Sequence, residues 1–112
     1  MMYILNMEFI ETPIFTKKIT ELLSLESYKD LQFELLKNPE KGSIIVGGGG
    51  IRKLRWNLEN QRKSGSVRII YYYKVIDSKI FMIYAYKKTK KITLTEQETK
   101  VFKELAKEFN YE

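Results

Sequence analysis

The apolar positions of this chain change period twice. In the first third they recur every three or four residues: Phe15, Ile19, Leu22 and Leu23, then Tyr28, Leu31 and Leu35. That spacing lines one face of a helix and predicts two of them. The first begins at Thr12-Pro13, a capping residue followed by the residue favoured at the first helical position, and runs to about Leu23. Ser24 to Ser27 restarts the chain, and Asn38-Pro39 stops the second helix, since the residue before a proline is pushed out of the helical region. Ahead of both, Met2 to Ile10 reads as a short strand.

In the middle of the chain the period shortens to two. Ile51 to Leu58 alternates as a strand, and Glu59 to Ser66, with Ser64-Gly65-Ser66, is a polar loop. Val67 to Ile76 and Lys79 to Tyr86 are rich in β-branched and aromatic residues and flank Asp77-Ser78, which predicts an antiparallel hairpin. Their apolar content on both faces places them centrally in a sheet. Gly47 to Gly50 reads as a flexible turn, because no Gly-Lys-Ser or Gly-Lys-Thr follows to make it a phosphate-binding loop. The helical period then returns. Thr95-x-x-Glu98 is a capping box, and Val101, Phe102, Leu105, Ala106 and Phe109 mark one face of a C-terminal helix that packs on the domain's own sheet. The expected fold is α+β: a small antiparallel sheet, made of the N-terminal strand and a three-stranded meander, with two N-terminal helices and one C-terminal helix. At 112 residues and 44% hydrophobic, the chain has material for one core, so a single domain over residues 1–112 is expected.

Composition narrows the chemistry. The chain has no Cys and no His, which removes disulfides, thiolate nucleophiles, Ser-His-Asp triads and the usual zinc ligand sets, so neither a metal nor a cofactor is expected. No apolar run approaches the roughly eighteen residues that span a bilayer. The first ten residues lack a basic region and a cleavage site, so the expected location is cytoplasmic, with no membrane partner. The net charge of +6 is unevenly spread: residues 41 to 91 hold thirteen Lys or Arg against Glu59 and Asp77, a balance of +11, while both flanking segments are acidic. A basic block interleaved with Trp56 and tyrosines 71, 72, 73, 84 and 86 has the composition of a polyanion-binding face. On the strand from Ile51, Lys53 and Arg55 leave the same face and Arg52 the other. Arg68 opens the next strand, and Tyr86, Lys87 and Lys88 close the one after, leading to Lys90 and Lys91. Three successive antiparallel strands would thus present cations and a phenol together, a surface suited to a phosphodiester drawn out of its stack.

Two stretches carry a family resemblance. Gly49-Gly50-Ile51-Arg52-Lys53-Leu54-Arg55, a polar loop, and Gly65-Ser66-Val67-Arg68-Ile69-Ile70-Tyr71-Tyr72 together resemble the signature of RelE/ParE-superfamily toxins, and of their HigB-like branch in particular. Tyr86-Lys87-Lys88 and Leu94-Thr95, before the last helix, continue the likeness. The resemblance implies the toxin of a type II toxin–antitoxin pair, an endoribonuclease that cleaves messenger RNA in the ribosome and so inhibits translation. It also implies a cognate antitoxin, a small acidic or helix-presenting chain of the helix-turn-helix DNA-binding type. Lys53 and Arg55 match the family's paired cations, Arg68 its next arginine, and Lys88 lies in the segment that supplies a further cation. The chain departs from the pattern at Thr89, where several relatives carry arginine. It departs again at the tyrosine those relatives hold near the final helix, since Tyr86 lies in a strand and Tyr111 is the penultimate residue.

A reaction without histidine is open to such a surface, because RNA brings its own nucleophile, the 2′-hydroxyl. Lys53 is the candidate base, set among Arg55 and Arg68, which disfavour its charged form. Arg55 and Arg68 would clamp the phosphate. Lys88 or Tyr86 would act as the acid or stack on a splayed base. Arg52, Lys87, Lys90, Lys91 and Trp56 are assigned to binding the RNA chain. Two other classes fit the same patch: a poison of DNA gyrase, as some members of the superfamily are, and a non-catalytic RNA-binding module.

Overall fold

The computed structural model describes residues 7–58, 65–89, 91 and 93–110. Strand β1 (Glu8–Glu11) leads into helices α1 (Pro13–Leu22) and α2 (Leu25–Lys37), then strands β2 (Ser43–Ile44), β3 (Arg52–Asn57) and β4 (Ser66–Lys74). A single 3-10 turn (Val75–Asp77) joins β4 to β5 (Lys79–Lys87), and α3 (Glu96–Phe109) closes the described chain. The sheet runs β1-β5-β4-β3-β2.

Each helix starts where its capping residue predicts. The Thr12 hydroxyl accepts from the Phe15 amide at 3.1 Å with Pro13 behind it, Ser24 caps α2, and Thr95 with Glu98 forms a complete capping box on α3. Helices α1 and α2 lay Phe15, Ile19, Leu23, Leu31 and Leu35 on one face of the sheet, against Leu54, Val67, Ile69, Tyr71, Ile80 and Met82. Helix α3 covers part of the other face, where Ala106 and Phe109 meet Ile70, Phe81 and Ile83; the Phe81 and Phe109 rings stack at 3.9 Å. Lysine also fixes this helix: Lys74 Nζ, buried, donates to the Phe109 carbonyl at 2.9 Å and pairs with Asp77 at 2.6 Å.

Four expectations change. The β3-β4-β5 meander is antiparallel, but β1 runs parallel to β5, pairing Glu8 with Lys79 through Glu11 with Met82, so the sheet is mixed. No tight turn dictates the direction of a strand whose partner lies some seventy positions away, and a connection that long permits parallel pairing. Two-residue β2 is too short to show a period. Strand β4 ends at Lys74, two residues early, because the Lys74–Asp77 pair closes a 3-10 turn that leaves Ile76 exposed. Val101 is half exposed, since the buried stripe of α3 centres on Phe102, Ala106 and Phe109 and Val101 lies at its margin. The part of the expected first strand before Met7 lies outside the described residues.

Strand β5 carries a bulge that helps place the site. Ile70 pairs with Tyr84 and Tyr71 with Met82, which leaves Ile83 as an extra residue. Thr12 satisfies the carbonyls there: its amide donates to Met82 at 3.0 Å and its hydroxyl to Ile83 at 2.7 Å. Past the bulge, Tyr84 and Tyr86 both face the side of α3.

Candidate functional site

Alternation on β3 sends Leu54 and Trp56 to the α1–α2 core and Lys53 and Arg55 to the opposite face. On β4 the same parity sends Val67, Ile69 and Tyr71 to that core and Arg68 to the face of Arg55. The register then aligns them: Arg55 lies opposite Arg68, and Arg68 opposite Tyr86, one row across three strands. Lys53, two residues along, starts the neighbouring row with Ile70 and Tyr84.

The cations of this row are not neutralised within the sheet. Like charges placed directly opposite each other on a sheet repel, and no carboxylate among the described residues pairs with Lys53, Arg55, Arg68 or Lys88. Other cations of the basic block are neutralised: Lys41 by Glu34 at 2.9 Å, Arg52 by Glu40 at 3.5 Å, Lys74 by Asp77, and Lys91 by Glu98 at 2.7 Å. Arg68 is 8% exposed and is held by its own strand, Nη1 donating to the Ser66 hydroxyl at 2.5 Å. Tyr86 is 5% exposed, and its hydroxyl is a buried polar atom with no hydrogen-bond partner. Burial raises its pKa above the ordinary 10.0 against the pull of Arg68 and Lys91, so at neutral pH it is a neutral phenol with a proton to donate. Lys88 lies in the turn after β5, exposed, its amide donating to the Ser66 carbonyl at 3.1 Å.

Residues 26–111 match the family model described as RelE toxin of the RelE/RelB toxin–antitoxin system. The chain belongs to the RelE toxin family. Two solved structures share its fold. The toxin–antitoxin complex RelBE of E. coli matches with a TM-score of 0.55 at 19% identity, over 70% of this chain and 93% of the matched one. The free E. coli toxin RelE, in a form with two arginines replaced by alanine, gives 0.54 at 15% identity, over 77% and 87%.

This RelE-family toxin does not gather every residue that the sequence nominates. Lys53, Arg55, Arg68 and Tyr86 share one face, with Lys88 just beyond it. Arg52 leaves the other face, where its guanidinium donates to the carbonyls of Glu40 at 3.1 Å and Gly42 at 2.7 Å, so it braces the turn after α2. Trp56 packs against the α1–α2 core and donates Nε1 to the Ser27 hydroxyl at 3.0 Å, which removes it from the basic face. Lys87 lies opposite Val67, on the side of α1. Lys91 stands beside Tyr86 with its ammonium on Glu98, whose hydrogen bond raises the lysine's pKa. Lys90 and Tyr111 lie outside the described residues.

Two contributors have only a faint mark in the sequence. Ser66 is two positions before Arg68 and so on its face, which parity does show. Glu98 reads as a capping residue, yet its Oε1 accepts from the Thr95 amide at 2.8 Å and also holds Lys91. Burial would raise the Glu98 carboxyl, but the Lys91 ammonium and the Thr95 donors outweigh it and keep it below the ordinary value. No helix among the described residues is long and apolar enough to cross a membrane.

Proposed function

We propose that this RelE-family toxin is a ribosome-dependent endoribonuclease that cleaves messenger RNA without a metal and so halts translation. The observation that carries the reading is the Arg55–Arg68–Tyr86 row: two guanidiniums without carboxylate partners beside a buried, unpartnered phenol. The substrate's 2′-hydroxyl is the nucleophile. Lys53 takes its proton, the 2′-oxygen attacks the adjoining phosphorus, and the bond to the 5′-oxygen breaks, leaving a 2′,3′-cyclic phosphate and a 5′-hydroxyl. Arg55 and Arg68 take up the charge that grows on the non-bridging oxygens, Arg68 in a preset orientation because Ser66 holds it. The leaving 5′-oxygen needs a proton, which Tyr86 or Lys88 supplies. Tyr86 suits this step, being a neutral phenol whose hydrogen bond is unspent.

The chain works in the cytoplasm as one RelE-like domain, and its partner is a cognate antitoxin that covers the basic segment or keeps the toxin out of the ribosome. The test is Arg68→Ala, with folding checked by circular dichroism. Loss of an oxyanion-stabilising contact of this kind slows the chemical step by about 10²–10³. Primer extension on translated messages should show the cuts vanish, and undiminished cleavage removes Arg68 from the site. Intact transcripts together with DNA damage in cells making the wild-type chain would instead identify a gyrase poison.

A further inference from the structure

Strand β1 accompanies β5 only as far as Met82, and the chain then turns into α1. Beyond the Ile83 bulge, β5 therefore has β4 on one side and, among the described residues, no strand on the other. Along this open half lies a cavity of about 260 Å³, bordered by Lys18 and Glu21 of α1, by Tyr84, Tyr86 and Lys87 of β5, and by Lys91.

We propose that this cavity is the subsite for the nucleotide next to the cleaved bond. Lys18 and Lys87 hold its phosphate, Tyr84 offers a ring to its base, and Glu21 accepts from an exocyclic amino group. The proposal rests on the nuclease reading of the Arg55–Arg68–Tyr86 row and extends it.

Position is the first argument. The row crosses β3, β4 and β5 in order. The row ends on β5 at Tyr86, which itself borders the cavity, and the cavity carries on around the open edge of β5 towards Lys87 and the α1 residues Lys18 and Glu21. An RNA chain whose scissile phosphate sits on Arg55 and Arg68 has to leave the row at one of its ends, and this end has a recess.

Charge is the second argument. Neither Lys18 nor Lys87 has a carboxylate partner among the described residues, and Glu21 on the same rim has no cation. A bare anion would use the lysines and be repelled by Glu21. A nucleotide satisfies both, with phosphate on the cations and the N–H donors of its base edge on the carboxylate.

Size is the third argument. At about 260 Å³ the cavity lies just below the roughly 300–1,000 Å³ of pockets for drug-sized ligands, a class a single nucleotide belongs to by bulk, so it admits no more than one unit and leaves part of it in solvent. The Tyr84 ring is half-buried and set 6.0 Å from that of Tyr86, so a base resting on it stays beside the phenol.

The readout is binding of fluorescein-labelled pentamers of adenylate and of uridylate, across a salt series and without ribosomes. Adenine carries an exocyclic amino group and uracil does not. The wild type should bind the adenylate pentamer several-fold more tightly, and Glu21→Ala should bring the two together. Lys18→Ala with Lys87→Ala should weaken both pentamers alike and flatten the log–log salt slope by about 0.7 per lost phosphate contact. All three residues are exposed or half-buried, so thermal unfolding of the variants serves as the folding control. Unchanged affinity and slope in the double variant, or an adenylate preference that survives Glu21→Ala, overturns the proposal. Cleavage on ribosomes is scored in parallel. A wild type that cuts nothing yet shows this binding pattern would discard the nuclease reading and keep the subsite, whereas normal cutting without the pattern would do the reverse.

Discussion

Arg68 and Tyr86 stand side by side on neighbouring strands and differ in how their polar groups are used. The arginine is oriented by Ser66, while the phenol is buried with its hydrogen bond unmade. A buried donor without a partner costs about 1–3 kcal/mol, so Tyr86→Phe should leave the fold as stable as before or more so. Its thermal midpoint should hold or rise while ribosome-dependent cleavage falls, a pairing that a purely structural tyrosine would not give. Arg68→Lys should recover little activity, because an ammonium keeps the charge but loses the planar fork that matches two phosphate oxygens. Single-turnover cleavage compared with Arg68→Ala measures that difference. Two-residue alternation makes the shared face of Lys53 and Arg55 legible in the sequence, but an unbroken hairpin register would set Ala85 opposite Arg68, and only the Ile83 bulge, which no local pattern announces, brings Tyr86 there. Trp56 shares the parity of Leu54 and so faces the core, and its place in a basic, aromatic-rich block says nothing of which face of the strand it takes. The pairing of Arg52 with the turn at Glu40 and Gly42 depends on where α2 ends in space, which no local pattern encodes.

Between residues and the whole, individual elements depend on a few joints. Thr12 caps α1, and its hydroxyl also serves the bulge carbonyl of Ile83. An ordinary cap substitution costs about 0.5–2 kcal/mol. Thr12→Ala should fall at or above the top of that range, and Thr12→Ser should restore most of the loss; urea unfolding of the two variants reads it. The cap was visible as Thr-Pro before an apolar helical run, but a contact 71 residues away was not. Gly42 is a second joint. Its amide donates to the Tyr71 hydroxyl at 2.8 Å, and an added Cβ would sit 2.8 Å from the Tyr71 ring and 3.1 Å from the backbone of Lys53. Gly42→Ala should therefore cost about 1–3 kcal/mol through overpacking, and should disturb the strand that carries Lys53 and Arg55. Lower unfolding midpoint and weaker cleavage in the same variant would show the two effects together. Alternation along tyrosines 71 to 73 sends at least one of them into the core. The structure makes Tyr71 fully buried, with its hydroxyl bonded to the Pro39 carbonyl, and turns Tyr72 to Asn110 of the α3 cap.

For the molecule as a whole, the absence of histidine shapes its response to pH. Burial raises the hydroxyls of Tyr28, Tyr71 and Tyr86 above their ordinary 10.0. Unfolded, these groups ionise near pH 10; folded, they keep their protons further. The stability they favour is fully present below pH 10 and is lost as pH climbs through the folded values. On the acid side Lys41 holds Glu34, and Lys74 holds Asp77, below their ordinary 4.5 and 3.8, while Glu98 is held down by Lys91 and the cap against its burial. That contribution is present above the unfolded values and lost as pH falls through the folded ones. Between about pH 5 and pH 9 stability should be flat, and urea midpoints across the series would expose any unexpected titration as a step near neutrality. The α+β class, the three helices and the meander were all readable from period and caps, whereas the parallel direction of β1 was not, because nothing near Glu8 in sequence refers to Lys79. That same pairing orders events in time. Synthesis at about 5–20 residues per second puts roughly 4–14 s between the appearance of Glu8 and that of Lys79, its partner. Until β5 exists, β1 has no sheet to join, and Arg55 and Arg68 have no phenol to complete their row. The three-strand row therefore comes together only after residue 86 has been made.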